Sequence, residues 1–455
     1  MLDHTDRDEA HAKALRDAEY ASLTCRAETE NAHAFVDDVL RQIVGTEERK
    51  RQRVSKAGAF RQAAEGFLAD LLLTIGHDER WVYRPVSQRH FTDDVVSYRD
   101  FTALRMALKT LGLLEEARGV QHWSEFGVIR GWATRFRATP RLERLAAQYD
   151  IQPAEVSKHF IRGLPEHPLV LRGGSRRAPE GYKIPGEVMK ISRGGGLAAM
   201  EQTIIDLNKF IDQFDIRGGT HRGYIRVFNL GDHPAFNWKL GGRFYSLGED
   251  SYQQMKSGER LKMTIDGKSV CELDIKASYL TIFQSLGGQP LDFASDPDPY
   301  QAAELRAMPR YVVKAFITAT FGNGQFPDKW PQKAAQDHKA KKTGKSLKKQ
   351  YPIEHVRDAV AKAYPLLARL GQDEAEPPIW AKLMFLESQA VFRTMLALQE
   401  RGIPSLSVHD SLIVQRDREH MARETLSDLY NADSEALRTG FRRKPDSVPM
   451  IADSR

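Results

Sequence analysis

Two apolar segments far apart in the chain each carry one aspartate where a β-strand is predicted to end. The first segment, residues 270–274, ends at Asp274 and is followed by a predicted helix start. The second consists of two short strands, 406–408 and 412–414, that flank a polar turn containing Asp410. Two carboxylates that meet can hold divalent cations, although a strand-end aspartate is also a common turn or cap residue. A fold that uses both as ligands must bring the two segments together.

Residues 309–322, between these segments, have the signals of a helix, because proline stands at the start and glycine at the end. With about 100° of rotation per residue, Arg310, Lys314 and Phe321 lie on one face of this helix. A face with two cations and an aromatic ring suits a triphosphate and a nucleobase. The alternative is an ordinary amphipathic helix whose basic side chains extend along apolar surface into solvent.

Taken in this order, the segments resemble the palm and fingers motifs of single-subunit nucleic-acid polymerases, the bacterial DNA polymerase I family and the phage-type RNA polymerases. Those enzymes carry a strand-end aspartate, then Arg-x-x-x-Lys with an aromatic-Gly pair, then His-Asp-Glu in the DNA enzymes or His-Asp-Ser in the RNA enzymes. A Gly-Arg element that contacts the template–primer duplex comes before them and resembles residues 241–245. The residues that carry the resemblance are Arg243, Asp274, Arg310, Lys314, Phe321, Gly322, His409, Asp410 and Ser411.

The resemblance implies a two-metal mechanism with two Mg²⁺ ions, for which Mn²⁺ could substitute. Asp274, Asp410 and the backbone carbonyl of Ile275 are then the predicted metal ligands. Arg310 and Lys314 are expected to neutralise the β- and γ-phosphates of a nucleoside triphosphate, and Lys314 to protonate the leaving pyrophosphate. Template–primer nucleic acid and nucleoside triphosphates are therefore the predicted partners.

The resemblance also assigns residues to the base, the sugar and the duplex. Phe321 is expected to stack near the incoming base, although its aromatic-Gly pair stands one residue closer to the lysine than in those enzymes. Arg243 and His409 are expected to contact the nucleic acid. Tyr279, five residues after Asp274, has the spacing at which family B polymerases and reverse transcriptases place an aromatic ring that excludes a ribose 2′-hydroxyl.

The choice between DNA and RNA synthesis depends on which of these features dominates. His-Asp-Ser and the Gly-Arg element favour the RNA enzymes. Tyr279 favours deoxynucleotides, and so does Phe321, which lacks the hydroxyl with which phage-type RNA polymerases are thought to sense the sugar. We therefore predict a DNA polymerase, with an RNA polymerase or primase as the alternative.

The first part of the chain is predicted to be a helical, DNA-binding region. Residues 1–80 have helical periodicity, and residues 81–162 have the pattern of a winged helix and a helix-turn-helix. Residues 152–162 would form the recognition helix, with Lys158 and Arg162 facing DNA. The same geometry also serves as a packing corner in helical domains, so DNA reading and simple packing both stay open.

The predicted fold class is α+β and mainly helical, with a palm-and-fingers polymerase core. Residues 163–197 are expected to form a mobile linker, because they are rich in glycine, proline and basic residues. Residues 198–455 would form the polymerase domain, with fingers at about 300–375. Within it, the lysine-rich block 329–349 is expected to be an exposed or disordered loop. Glu387 is expected to be a surface residue, with a role in ordering the site as the alternative.

The composition is that of a soluble globular protein. The 455 residues are 41% hydrophobic and 28% charged, with a formal net charge of +6, a modest excess of the kind that nucleic-acid-binding proteins carry. No segment approaches 18 consecutive apolar residues and the start has no signal pattern, so we expect no membrane partner and a cytoplasmic location. The two cysteines, Cys25 and Cys271, exclude a disulfide framework and a cysteine zinc site.

Two functions of other classes stay open. In a non-catalytic DNA-binding replication initiator, the helix-turn-helix would be the active part and the palm-like region would be structural. A two-metal nuclease needs only the carboxylates and would leave Arg310 and Lys314 without a task. A plasmid, phage or other mobile element would suit a compact enzyme with a DNA-binding region.

Overall fold

The chain forms two compact units of mixed helix and sheet. The computed structural model describes residues 18–46, 57–73, 75, 81–124, 127–177, 183–248, 251–341, 346–371 and 377–441. About 49% of the structure is helical, and the sheets are small. The first unit comprises residues 1–212, 219–225 and 246–255, and the second comprises residues 213–218, 226–245 and 256–455. Within the described ranges, no helix combines the length and the apolar character that a membrane span requires.

The first unit contains most of the short strands of the chain. Its helices are α1 (Glu30–Thr46), α2 (Ala57–Leu72), α3 (Tyr98–Thr110), α4 (Pro140–Ala147), α5 (Val156–His159) and α6 (Gly196–Ile211). Its strands are β1 (Glu19–Tyr20), β2 (Cys25–Ala27), β3 (Val82–Arg84), β4 (Leu114–Ala117), β5 (Val120–Ser124), β6 (Gly127–Trp132), β7 (Thr134–Ala138), β8 (Phe160–Arg162), β9 (Leu169–Arg172), β10 (Arg176–Arg177), β11 (Lys183–Ile184) and β12 (Val188–Met189).

One hydrophobic core runs through the first unit. The helical periodicity predicted near the N-terminus is confirmed for α1 and α2, whereas β1 and β2 are strands and residues 1–17 and 47–56 lie outside the described residues. α1 buries Phe35 and Val39 on the face that meets the core. Phe67 of α2, Phe101 of α3 and Phe136 of β7 contact one another edge to face, with ring centroids 5.0, 5.4 and 5.9 Å apart. The two regions predicted from the N-terminal sequence both contribute to this core.

The predicted recognition helix is wrong. Residues 153–155 form a 3-10 turn, α5 has only four residues, and the chain then enters β8, which pairs antiparallel with β2. Sheet pairing and the burial of Phe160 outweigh the local helical preference of residues 152–162. Lys158 is exposed and pairs with Glu155, and Arg162 lies in β8. Neither residue lies on a helix of the kind that enters a DNA groove.

Two local features of the same region follow from the residue types that stand there. Thr139 caps α4 by accepting a hydrogen bond from the Leu142 N–H, and Pro140 occupies the first helical turn. Asp150 adopts the left-handed backbone conformation expected at the turn, with φ of 57°. The sequence thus indicates where α4 begins and where the turn lies, but not that a strand comes after the turn.

The predicted linker contains short strands. Residues 188–189 of β12 pair antiparallel with residues 171–172 of β9, and β10 pairs with β11. Leu169 and Leu171 are buried on alternate positions of β9, which is the pattern of a strand with one covered face. The overall composition of the segment, rich in glycine and basic residues, does not show this alternation.

The second unit carries the motif residues. Its helices are α7 (Ser257–Arg260), α8 (Ser278–Leu286), α9 (Arg310–Asn323), α10 (Gln332–Ala340), α11 (Leu347–Gln350), α12 (Ile353–Ala363), α13 (Ile379–Gln399) and α14 (Glu419–Phe441). Its strands are β13 (Ile216–Arg217), residues 226–228 of β14 (Tyr224–Phe228), residues 241–245 of β15 (Gly241–Ser246), β16 (Thr264–Ile265), β17 (Lys268–Asp274), β18 (Ser405–Val408) and β19 (Ser411–Gln415).

A five-stranded antiparallel sheet in the order β13-β16-β17-β19-β18 supports the motifs. β19 is buried along its whole length, and β17 buries Val270 and Leu273. α13 packs against α8, α14 and β18. A sheet held this rigidly fixes the positions of the residues at its strand ends.

The lysine-rich block was predicted to be a loop, and most of it is helical instead. Residues 332–340 form α10 and residues 347–350 form α11. His338 anchors α10, because its side chain is fully buried and its Nδ1 lies 2.8 Å from the hydroxyl oxygen of Tyr311. Lys333 and Lys339 of α10 are exposed, and residues 342–345 of the block lie outside the described residues.

Candidate active site

The register of the sheet brings the two motif aspartates to one edge. Asp274 at the end of β17 lies opposite Ser411 of β19, and Ser411 in turn lies opposite Val408 across the hairpin. The Ile275 N–H donates a hydrogen bond to the backbone oxygen of Asp410 at 3.3 Å. Asp274 and Asp410 both line a cavity of about 540 Å³ in the second unit.

Two non-glycine residues beside these aspartates have left-handed backbones. Ala277, with φ of 47°, turns the chain sharply from the end of β17 into α8. His409, with φ of 56°, makes the tight turn between β18 and β19. Such conformations cost of order 1–3 kcal/mol and persist only where the surrounding structure imposes them, often at functional sites. These two turns leave Asp274 at the end of β17 and Asp410 in the turn between β18 and β19.

The carboxylates around this edge influence one another. Loss of surrounding water raises the pKa of Asp274 above its ordinary value, the negative charge of Asp410 raises it further, and the positive charge of Lys314 opposes the rise. The negative charge of Glu272, two residues earlier on the same face of β17, also raises the pKa of Asp274. Although partial burial works against ionisation of Glu272, hydrogen bonds from Arg260 and Ser411 lower its pKa, so this carboxylate stays charged.

The face of α9 that was predicted to be basic lines the same cavity. Arg310 pairs with Asp298, with its Nε 2.6 Å from Oδ2, and its guanidinium lies 5.1 Å from the centre of the Tyr300 ring. Lys314, one turn further along, is exposed and contributes its charge at Asp274. The helix therefore presents two cations beside the two aspartates.

Phe321 occupies a different place from the one predicted. It borders the cavity but is only 2% exposed, and its ring contacts Tyr279 and Phe283 edge to face at 6.1 and 5.5 Å. The ring belongs to the hydrophobic core beneath α9. In this arrangement Phe321 supports Tyr279 and does not offer a free face to a base.

Tyr279 contacts a buried ion pair. Arg243 Nη2 donates hydrogen bonds to Tyr279 Oη at 3.3 Å and to Glu387 Oε1 at 2.6 Å. Glu387 was expected on the surface, but it is 1% exposed because it lies on the inward face of α13. Burial and the charge of Asp410 raise the pKa of Glu387, whereas Arg243 opposes the rise.

His409 lies at the same turn as Asp410. Its ring contacts Tyr245 edge to face, with centroids 6.2 Å apart. Partial burial and the nearby charge of Arg243 lower the pKa of His409, so the imidazole is neutral at pH 7. A neutral ring at this position can form hydrogen bonds and stack, but it carries no charge that would attract an anion.

Several residues that line the cavity were not predicted from the sequence. Glu272, which influences Asp274 by its charge without lining the cavity, had a signal, since a residue two positions before Asp274 on a strand lies on the same face. The others depend on tertiary contacts that no local pattern indicates. They are Lys276, Pro297, Asp298, Pro299, Tyr300 and Trp380.

Comparison with known proteins gives no family for this chain. No protein-family model matches it, and no curated protein matches it at a significant level. Across the described part of the chain, no group of three or more His, Cys, Asp and Glu side chains has the arrangement of a metal site. The carboxylate pair at Asp274 and Asp410, with its basic helix, is the most distinctive chemical feature of the second unit.

Proposed function

We propose that this protein is a template-directed nucleotidyltransferase, and specifically a DNA polymerase that extends a primer. The observation that supports this best is the convergence of four predicted residues on one cavity. Asp274 and Asp410 come from two different strands, and Arg310 and Lys314 from α9 between them in sequence. Structural roles alone do not require two carboxylates and two cations from three segments to line one cavity.

The residues at the sheet edge suit magnesium. Mg²⁺ prefers oxygen ligands, and Asp274 and Asp410 supply carboxylates, with the backbone carbonyl of Ile275 as a further donor. Burial raises the pKa of Asp274, the charge of Asp410 adds to the rise, and a bound divalent cation would offset that repulsion between the two carboxylates. When bound there, Mg²⁺ supplies Lewis-acid activation of the primer 3′-hydroxyl and neutralises charge on the triphosphate.

The cations of α9 would bind the nucleotide. Arg310 and Lys314 lie one helical turn apart, so they can contact adjacent phosphates of one triphosphate. The primer 3′-hydroxyl gives up its proton to solvent water, and its oxygen forms a bond to the α-phosphorus while the bond between that phosphorus and the oxygen bridging to the β-phosphate breaks. Lys314 would donate a proton to that leaving oxygen, so that pyrophosphate departs with less negative charge.

Tyr279 supports the choice of deoxynucleotides. It lines the cavity at the first turn of α8, and burial raises the pKa of its phenol, so the hydroxyl stays protonated. A ring held at this position would collide with a ribose 2′-hydroxyl. An RNA polymerase or primase is the second candidate, because the His-Asp-Ser turn at 409–411 is the form found in the RNA enzymes that the chain resembles.

The initiator and the nuclease hypotheses have less support. The initiator hypothesis relied on a recognition helix, and that segment forms a four-residue helix and a strand. A nuclease would need the carboxylates but has no use for Arg310 and Lys314 beside them. The initiator hypothesis predicts DNA binding and the nuclease hypothesis predicts DNA cleavage, in both cases without nucleotide incorporation.

Primer extension tests the proposal. The protein is incubated with a primed DNA template, Mg²⁺ and either dNTPs or NTPs, and elongated primer is measured. Asp274→Asn and Asp410→Asn should each reduce the rate to less than about one thousandth of wild type, the scale of loss when a central catalytic group is removed. Asp417→Asn, which changes an exposed carboxylate of the same unit, is the matched control. Near-normal incorporation by either active-site variant would refute the assignment.

A further inference from the structure

A buried ion pair lies behind the ring that faces the sugar in the proposed enzyme. Glu387 comes from the middle of α13, and its Oε1 accepts hydrogen bonds from Arg243 Nη2 at 2.6 Å and from Arg243 Nε at 3.2 Å. Arg243 also contacts Tyr279, through the 3.3 Å hydrogen bond to Oη and through its guanidinium, 5.9 Å from the ring centre. The three side chains form a continuous series of contacts at the cavity wall.

The pair fixes the direction of the Arg243 guanidinium. A guanidinium is planar, so two of its nitrogens on one carboxylate oxygen leave little freedom of rotation. Glu387 is 1% exposed and the Arg243 side chain 21% exposed, so water can replace neither partner fully. Loss of one charge would leave the other buried without compensation and would release Arg243 from its orientation.

Tyr279 is consequently held at two points. Arg243 fixes the hydroxyl end, and the edge contact with Phe321, at an interplanar angle of 81°, supports the ring. Discrimination against a 2′-hydroxyl requires an aromatic ring that is held rigidly, because a ring that rotates away would admit ribose. The rigidity of Tyr279 therefore depends on a carboxylate that does not touch it.

We infer that Glu387 is a positioning residue for sugar selection: through Arg243 it holds Tyr279 in the place where the ring excludes ribonucleotides. The inference rests on the proposed function and names the element of the site that sets its substrate class. It predicts that selectivity depends on Glu387 even though the ion pair lies behind the ring.

A double-mutant cycle tests this arrangement. Glu387→Gln keeps the shape but removes the charge, and Tyr279→Phe keeps the ring but removes the oxygen that Arg243 holds. The ratio of kcat/KM for dNTP to that for NTP is measured for wild type, both single variants and the double variant. A hydrogen bond to a charged group is strong enough for its loss to lower this ratio roughly tenfold. The loss should appear mainly as a lower KM for NTP, and the double variant should resemble the single ones.

Controls separate positioning from general damage. Glu400→Gln changes an exposed carboxylate at the end of the same helix and should leave the ratio unchanged. Arg243→Lys, which cannot hold two partners with a planar fork, should reproduce the loss if Glu387→Gln fails to fold. An unchanged ratio in these variants, or losses that multiply in the double variant, would overturn the role of Glu387. A wild-type protein that incorporates neither nucleotide would instead overturn the proposed function and this inference with it.

Discussion

In the proposed enzyme, Asp298 would compete with a triphosphate for Arg310, and removing its charge should then improve nucleotide binding. The ion pair joins Arg310 Nε to Asp298 Oδ2 at 2.6 Å, and the two side chains are 54% and 35% exposed. A pair this exposed is worth about 0.2–1 kcal/mol, because water and salt screen it. A phosphate that takes the place of Asp298 must overcome that energy.

Asp298→Asn should therefore lower the KM for dNTP by up to about fivefold, with kcat nearly unchanged. The asparagine oxygen can still accept the hydrogen bond from the Tyr300 N–H, at 3.1 Å in the wild type, so the local turn should persist. The decrease in KM should become smaller as ionic strength rises, since the Debye length falls to about 3 Å at 1 M salt.

Single-nucleotide incorporation at low and high salt measures this effect. Asp296→Asn removes the same charge from the same loop, at a residue that has no ion pair with Arg310, and is the matched control. An unchanged KM in Asp298→Asn would show that Arg310 does not bind the triphosphate in the way proposed. An equal decrease in the control would assign the effect to net charge.

Two further predictions concern the sugar and the first unit. Tyr279→Ala should relax sugar selection, measured as NTP incorporation relative to dNTP; selectivity that stays at the wild-type level would remove Tyr279 from the mechanism. Burial raises the pKa of Asp70 to about 6 from an ordinary value of 3.8, so the fold prefers the protonated carboxyl, and its contribution to stability is lost as the pH rises through that range. In urea unfolding, the stability of Asp70→Asn relative to wild type should increase by about 2 kcal/mol between pH 4 and pH 7. Asp206→Asn, on the exposed side of α6, should show a much smaller change, and a pH-independent difference for Asp70→Asn would contradict the assignment.

Local patterns were sufficient to predict the elements that carry the site. The proline and glycine that bound α9 and the apolar runs of β17 and of the β18–β19 hairpin all lie within a few residues of the feature they determine. Helical spacing then placed Arg310 and Lys314 on one face. The convergence of Asp274 and Asp410 required the family resemblance, because no local signal specifies which strand pairs with which.

The predictions that failed depend on distant partners. Residues 160–162 form a strand because β2 pairs with them, and no feature of 152–162 indicates that pairing. Glu387 is buried because Arg243, 144 positions away, neutralises it. His338 anchors α10 through Tyr311 on another helix. In each case a tertiary contact outweighs the preference of the local sequence.

The pairing of β17 with β19 also determines when the site can assemble. Ser411 Oγ donates to Glu272 Oε1 across 139 positions of sequence, so the sheet closes only after a large loop has been ordered. Contacts of such long range form slowly, and during synthesis the second acid emerges well after the first. A nascent chain that has not yet made β18 and β19 has the first acid and the basic helix without the second acid. The proposed catalytic centre is therefore among the last features of the second unit to mature.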